Sequence, residues 1–375
     1  MMHRYFVDGS ETDRIVLGQG KIFFIKENSR RSTDVKKNYA VQVYRILCTL
    51  IICWHHFQGA VGKIEILKHG YICVEFFFIL SGYFLARYFA EEETNGGHST
   101  VGYLLHRIKR LYPEYCFAAV VAILIIGIGG HKFTPVKAIA EMLMIQYLGI
   151  IGGGYNTPCW YMSVLLCTSV LIYGMLVQNK NLYIRVIAPA MIVTGYAFIA
   201  GQSDIIEVWD TEGFIYVPLL RGFCAMSIGV LIERLTHNKN LLLKNRRTAT
   251  TAELICLIVI CIGIAAEETW DYLVIAAFAV LIFLAMTGQG GIGCFLNRER
   301  KSVNYLGDLA YTLYLNHSVI SKGIGFINHF FNDITMGIYI IEVLAFWGLL
   351  FTYSMITKRI VNGIVRKING SGEME

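Results

Sequence analysis

The sequence predicts an all-α membrane protein: a polytopic helix bundle of about ten transmembrane helices with both termini in the cytoplasm. Three observations predict this class. Of its 375 residues, 55% are hydrophobic and only 16% are charged, whereas soluble domains average about 25% charged. Apolar runs long enough to cross the hydrocarbon core recur along the chain. Lys and Arg concentrate in alternate connections between these runs, as they do on the cytoplasmic side of membrane proteins.

Residues 1–38 form a basic tail, in which a small strand is expected at Lys21 to Ile25. The membrane domain covers residues 39–358, and residues 359–375 form a second cytoplasmic tail. The ten predicted spans are 41–60, 71–90, 113–129, 159–177, 183–200, 215–233, 251–266, 270–287, 306–328 and 336–357.

One further apolar stretch, 136–150, is short and contains Glu141. If it crossed the membrane, every later basic connection would face outward, against the usual distribution of Lys and Arg. We therefore expect it to lie at the outer surface or to dip into it.

Cytoplasmic Lys and Arg also explain the net charge of +6, so no nucleic-acid partner is expected. The ten cysteines show no metal-ligand spacing, and we predict no metal site.

Ionisable groups inside apolar runs are the first candidates for function, because charge at membrane depth is costly. The first run carries Arg45 near its start and His56 near its end, eleven positions apart. Helix geometry puts both on one face, about 16 Å apart along the axis, and turns His55 about 80° away. The pattern indicates chemistry inside the membrane. A snorkelling arginine and a packing histidine are the alternative.

The second run contains Glu75 near its predicted outer end, where His56 also lies. A pair between the two side chains would fix the tautomer of the imidazole. An interfacial carboxylate is the alternative. Ser81 and Gly82 follow on the same run, and small residues there suit close helix packing.

Arg107 and Arg110 are spaced i, i+3 just before Pro113, at the predicted cytoplasmic mouth of the third span. Paired guanidinium groups suit phosphates, and ordinary positive flanking charge is the alternative. Arg221 lies well inside the sixth span and needs a partner or water. The ninth span places Tyr314 and His317 one helical turn apart, for which packing is again the alternative.

These motifs resemble the pattern of acyltransferase family 3, the polytopic bacterial O-acyltransferases. The spacing of Arg45 and His56 is similar to the signature of its first helix. Four more segments resemble family patterns in the same order: 74–83 (Phe-Phe-x-x-Ser-Gly-Phe), 107–113 (Arg-x-x-Arg-x-x-Pro), 221–229 (an Arg-plus-Gly helix) and 306–317 (Leu-Gly-x-x-Ser-Tyr-x-x-Tyr-Leu-x-His).

The resemblance covers roughly residues 38 to 360, with two departures. Leu165 occupies a position in Trp-x-Leu-Ser-x-Glu that is often acidic in the family, and Ala310 replaces a usual serine. A carboxylate moved to Glu75 or Glu141 is one way to make up for the first departure.

What the resemblance implies is transfer of an acyl group, most simply acetyl, from cytoplasmic acyl-CoA to a hydroxyl of a surface polysaccharide or lipid-linked glycan. His56 is then the general base or a transient acyl carrier, and Glu75 orients it. The residues expected to hold the CoA phosphates are Arg45, Arg107 and Arg110. Those expected to polarise the thioester carbonyl or bind the acceptor are Arg221, His317, Tyr314 and Ser81.

The implied location is the bacterial inner or plasma membrane, with membrane lipids as further partners. A succinyl donor is a variant of the same function. A transporter or flippase of a glycan or lipid-linked sugar is the rival, with the intramembrane charges as its path. A non-catalytic membrane relative that only binds or senses is a third possibility, which the loss of the acid at Leu165 keeps open.

Overall fold

The computed structural model divides the chain into two units, Met1–Lys37 and Asn38–Glu375. It describes the backbone of residues 15–18 and 21–24, and then residues 37–62, 66–94, 96–130, 133–149, 153–202, 211–212, 215–238, 241–243, 245–266, 270–328 and 335–371. In the first unit, β1 (Ile15–Gly18) and β2 (Lys21–Phe24) form an antiparallel hairpin. The strand predicted at Lys21 to Ile25 is therefore present as far as Phe24, and Ile25 lies outside the described residues.

The second unit is helical, which confirms the predicted fold class. Nine of the ten predicted apolar runs fall in a helix, counted with its capping residues and any adjoining π or 3₁₀ turn. The run 215–233 begins with two strand residues, Ile215–Tyr216, and continues as a helix. The described helices are α1 (Tyr39–Val61), α2 (Cys73–Thr94), α3 (Thr100–Ala122), α4 (Pro135–Met142), α5 (Trp160–Leu182), α6 (Ala188–Gln202), α7 (Val217–Thr236), α8 (Arg246–Ala265), α9 (Asp271–Thr287), α10 (Gly291–Leu296), α11 (Lys301–Asn328) and α12 (Met336–Ser371). A two-stranded ladder of β3 (Thr211–Glu212) and β4 (Ile215–Tyr216) precedes α7.

Among the described residues, 6 helical segments are long and apolar enough to cross a membrane, so the chain is a multi-pass membrane protein. They are Tyr39–Val61, Gly70–Thr94, Thr100–Ile128, Thr157–Gln202, Arg246–Ala265 and Met336–Ile368. The 46-residue segment would measure about 69 Å as one straight helix, twice the hydrocarbon thickness. Non-helical backbone at Asn179 breaks it. The count of ten spans and the cytoplasmic position of both termini stay predictions.

Helix α4 covers only the first part of the apolar stretch 136–150. It ends at Met142, and Met144 and Tyr147 then adopt positive φ angles of 54° and 58°. A right-handed helix cannot continue through such residues. The eight residues of α4 extend only about 12 Å, too short to cross a bilayer. The position of α4 at the outer surface stays a prediction.

Helix α1 has defined ends, which fix the positions of Arg45 and His56 along it. The Asn38 Oδ1 atom accepts a hydrogen bond from the Val41 N–H, and its Nδ2 donates to the carbonyl of Ala285, tying α1 to α9. At the other end, Gly62 takes the left-handed conformation that commonly terminates helices. Between these ends α1 packs along α11.

Helices α2 and α7 cross in very close contact at two glycines. A Cβ atom at Gly82 would lie 2.0 Å from the carbonyl oxygen of Met226, and one at Gly229 would lie 1.9 Å from that of Ile79. Only glycine permits this approach of the two backbones. The close packing predicted at Ser81 and Gly82 is confirmed, and it turns α2 toward α7.

Candidate active site

Two histidines from distant parts of the chain meet in the helix bundle. The imidazole rings of His56 on α1 and His317 on α11 have centroids 5.0 Å apart and planes inclined by 34°. His317 is fully buried, whereas the side chain of His56 is half-buried. The sequence singled out both residues separately, and the packing of α1 along α11 brings them together.

The hydrogen bonding of His317 fixes which of its nitrogens carries the proton. Its Nδ1 lies 2.5 Å from the carbonyl oxygen of Tyr314, which can only accept, so Nδ1 is the donor. In the neutral ring, Nε2 therefore holds a lone pair. This Nε2 atom is buried and has no hydrogen-bond partner among the described residues. His317 thus presents a nitrogen able to accept a proton.

A cation that the sequence left without a role, Lys322 of α11, lies near enough to the two histidines to interact with them electrostatically. Its Nζ donates to the carbonyl of Tyr155 at 3.2 Å and to the hydroxyl of Thr157 at 3.1 Å. The sequence feature that could have identified it is a lysine inside a predicted span, where charge is costly.

Glu75 does not form the predicted pair with His56. Its Oε1 accepts from Nε of Arg221 at 3.0 Å and lies 2.9 Å from Nη2 of the same residue. Its Oε2 accepts from the hydroxyl of Tyr196 at 3.2 Å. The reason is the crossing at the two glycines, which places the face of α2 that carries Glu75 and Gly82 against α7. The prediction that Glu75 orients His56 is therefore wrong, and the partner that Arg221 was expected to need is Glu75.

The Arg221 side chain is only 1% exposed, and its guanidinium group also lies over the ring of Trp160, 5.1 Å from the centroid. A cation in this position gains from both the carboxylate and the aromatic face. Its Nη1 atom is buried and has no partner in the part of the chain that the structure describes. One donor of the buried pair therefore stays available to a ligand.

The three arginines predicted to hold phosphates are brought into one cluster. Arg110 is an electrostatic neighbour of both Arg45 and Arg107. Arg45 Nη1 donates to Oε1 of Gln42 at 2.9 Å. Two buried nitrogens of Arg107, Nε and Nη2, have no partner among the described side chains and backbone groups. Three like charges, one of them with two unpaired donors, form a site that favours a polyanion.

Tyr161 connects this arginine cluster to the histidines. It is an electrostatic neighbour of Arg45 and Arg107, and its hydroxyl lies near the side chain of Ser81. Its ring packs on that of Tyr314, with 5.8 Å between the ring centroids. The Tyr314 ring in turn packs on that of His317, with 5.6 Å between the centroids.

Trp160 and Tyr161, at the start of α5, are both buried, with 4% and 8% of their surface exposed. The hydroxyl of Tyr314, predicted to contact substrate, donates to the carbonyl of Pro158. Leu165, at the position that is often acidic, is part of the hydrophobic core.

Glu141 anchors the segment that precedes α5. Its two carboxylate oxygens accept from the backbone N–H groups of Tyr155 and Asn156, at 2.6 Å and 2.9 Å. The Asn156 side chain then donates to the carbonyl of Leu315 at 2.8 Å, on the helical turn that carries His317. Burial raises the pKa of the Glu141 carboxyl above its ordinary value. The two N–H donors and the charge of Lys322 lower it, but by less than burial raises it.

Among the described residues, no group of three or more His, Cys, Asp or Glu side chains is arranged to hold a metal ion.

The family model for the acyltransferase domain of acyltransferase family 3 matches residues 38–357. No curated protein and no solved structure matches the chain. The matched range includes both histidines, the three clustered arginines and the Glu75–Arg221 pair.

Proposed function

Because the chain belongs to acyltransferase family 3, we propose that it transfers an acetyl group from acetyl-CoA to a hydroxyl of a surface polysaccharide or lipid-linked glycan. The chain is an acyltransferase and a multi-pass membrane protein; the donor, the acceptor and the bacterial inner membrane as its location are parts of the proposal. The observation that carries it is the meeting of His56 and His317 about 16 Å along α1 from Arg45.

His56 serves as the general base in this proposal. It takes the proton of the acceptor hydroxyl, and the hydroxyl oxygen attacks the carbonyl carbon of the thioester. A C–O bond forms as the C–S bond breaks, and the proton passes from the imidazole to the departing thiolate. His317, with its unprotonated Nε2, is the second group able to hold that proton, so the reaction needs no external proton donor.

The arginine cluster supplies the donor site in this proposal. Arg45, Arg107 and Arg110 bind the phosphates of the donor, and the pantetheine arm extends past Tyr161 toward the histidines. Guanidinium groups suit this task because they bind phosphate oxygens in a bidentate manner. The unpaired Nη1 of Arg221 can donate to a carbonyl or acceptor oxygen at the same depth.

The test replaces each histidine separately with alanine. Thiol release from acetyl-CoA is measured on membranes that carry equal amounts of each variant, together with the acetyl content of the cell-surface glycans. General base catalysis contributes about 10²–10⁴-fold, so we expect His56→Ala to lose at least about 100-fold. His237→Ala is the matched control, because that side chain is 69% exposed. Unchanged acetyl transfer by His56→Ala contradicts the proposed mechanism.

The acceptor is identified by comparing glycan and lipid masses of wild-type cells and of cells that lack the protein. The proposal predicts one missing acetyl mass, and a missing succinyl mass would identify the variant donor. A flippase would change the amount of exported glycan without consuming acyl-CoA, so thiol release separates the two functions.

A further inference from the structure

Helix α3 places two aromatic residues and two arginines on one face. Tyr103, His106, Arg107 and Arg110 follow the spacing i, i+3, i+4, i+7, which aligns side chains along a helix. The guanidinium group of Arg107 lies over the ring of Tyr103, 5.9 Å from its centroid. The arginine cluster therefore continues into an aromatic surface toward the first turns of α3.

A stacked pair of rings lies at the edge of this surface. The rings of Tyr88 on α2 and His106 on α3 have centroids 5.1 Å apart and planes inclined by 24°. Tyr88 also packs on Tyr103, at 5.5 Å. Both members of the pair are half-buried, whereas Tyr103 is 2% exposed and its stacking partner Tyr173 is 0% exposed. The buried rings hold α2, α3 and α5 together, and the Tyr88–His106 pair forms their accessible edge.

The ring pair, the arginine cluster, Tyr161 and the two histidines follow one another through successive contacts. The Tyr88–His106 pair comes first, the arginine cluster second, Tyr161 third, and the two histidines last. His106 lies about 6 Å before Arg110 along the axis of α3. Coenzyme A has the same order of parts: a purine base, phosphates, the pantetheine arm and the thioester. Of these four parts, the base is the one for which the arginine cluster, Tyr161 and the two histidines provide no partner.

We propose that the adenine ring of the acyl donor stacks on the Tyr88–His106 pair, next to the arginine cluster that holds its phosphates. This inference rests on the proposed function, since it requires an acyl-CoA donor. Stacking suits this position because a purine has a large flat π-face and aromatic side chains bind bases by such contacts. The arginines give the charge recognition, and the ring pair distinguishes a nucleotide-bearing donor from a bare phosphopantetheine.

The test measures equilibrium binding to the purified full-length protein in detergent. Three probes are used: coenzyme A, phosphopantetheine, which lacks the nucleotide, and adenosine bisphosphate, the nucleotide part of coenzyme A. Loss of one stacking contact weakens binding by about tenfold or more. We expect Tyr88→Ala to weaken binding of coenzyme A and adenosine bisphosphate by this factor, and to leave phosphopantetheine unchanged. Tyr88→Phe should retain the affinity of the wild type.

Tyr305→Ala is the matched control, because Tyr305 is a tyrosine of another helix and is 53% exposed. Equal affinity of the wild type and Tyr88→Ala for coenzyme A overturns the base subsite and leaves the proposed function standing. Equal weakening of all three probes also overturns it, because the substitution would then act on the fold. A wild-type protein that binds no coenzyme A overturns the acyl-CoA donor itself and the subsite with it.

Discussion

Arg221 and Glu75 form an ion pair that is almost completely removed from solvent. Arg221 Nη2 lies 2.9 Å from Glu75 Oε1, and the two side chains are 1% and 0% exposed. Tyr196 donates to the second carboxylate oxygen, and Trp160 lies against the guanidinium group. Four helices therefore meet at one buried charge pair, and neither charge can be left buried without the other at little cost.

We expect removal of one charge to destabilise the protein strongly. Arg221→Met leaves the carboxylate buried without its cation, and breaking a buried pair in this way typically costs about 3–5 kcal/mol. The double substitution Glu75→Leu with Arg221→Met should recover much of this loss, because no uncompensated charge remains. Thermal unfolding in detergent measures both effects.

The control for this prediction is the pair between Lys180 and Glu93, at 2.5 Å, whose side chains are 35% and 49% exposed. Exposed pairs contribute about 0–1 kcal/mol, so Glu93→Gln should change the unfolding temperature little. An Arg221→Met protein as stable as the wild type would show that Glu75 is satisfied without its arginine.

The crossing of α2 and α7 should tolerate no side chain at its two glycines. Gly82→Ala and Gly229→Ala each place a Cβ atom about 2 Å from a backbone oxygen, so the helices must separate. We expect a loss of about 1–3 kcal/mol or more, as for other overpacked sites, read as a lower unfolding temperature or lower yield of folded protein in membranes.

Gly348→Ala on α12 is the control, since nothing lies within 4 Å of its Cβ position. In a helix interior this change favours the helix by about 0.5–1 kcal/mol. Equal stability of Gly82→Ala and Gly348→Ala would contradict the close crossing.

The sequence was sufficient to predict the helices and the grouping of three arginines, because both follow from properties of single segments. Apolar runs define the helices. Arg107 and Arg110 share a face through their spacing, and positive charge near the helix ends collects on one side of the membrane.

The partner of Glu75 could not be predicted in this way. It depends on how α2 is rotated against its neighbours, and that rotation is set by a contact between Gly82 and Gly229 on two helices distant in sequence. The predicted equal depth of His56 and Glu75 in the membrane made them possible partners. The rotation of α2 instead places Glu75 against Arg221 of α7.

Arg107 should contribute to binding of the donor more than to the chemical step. Its Nε and Nη2 atoms are buried without a partner in the described part of the chain, as expected of groups that await a ligand. We expect Arg107→Gln to raise KM for acetyl-CoA by about tenfold, the loss of one charge-assisted contact, and to change kcat little. Initial rates over a range of acetyl-CoA concentrations measure both constants.

Arg87→Gln is a suitable control for the loss of charge, because the Arg87 side chain is 38% exposed and pairs with Glu91 on its own helix. A fall in kcat at unchanged KM would instead assign Arg107 to the reacting end of the site.

Glu141 should act on the reaction through the segment that it anchors. Glu141→Ala leaves the N–H groups of Tyr155 and Asn156 without their acceptor, at about 1–3 kcal/mol for each buried group. Because Asn156 contacts the turn that carries His317, we expect kcat to fall while KM for acetyl-CoA stays close to that of the wild type. Initial rates of the Glu141→Ala variant over a range of acetyl-CoA concentrations measure kcat and KM separately.

The same carboxyl should give the stability of the protein a defined dependence on pH. Burial raises the pKa of Glu141 above its ordinary value of 4.5. A group whose pKa is higher in the folded protein stabilises the fold below its unfolded pKa, and this contribution is lost as the pH rises through the folded value. The wild type should therefore lose stability above about pH 4.5 more steeply than Glu141→Gln, which cannot titrate. Equal slopes of unfolding temperature against pH for the two proteins would show that Glu141 has the same pKa folded and unfolded.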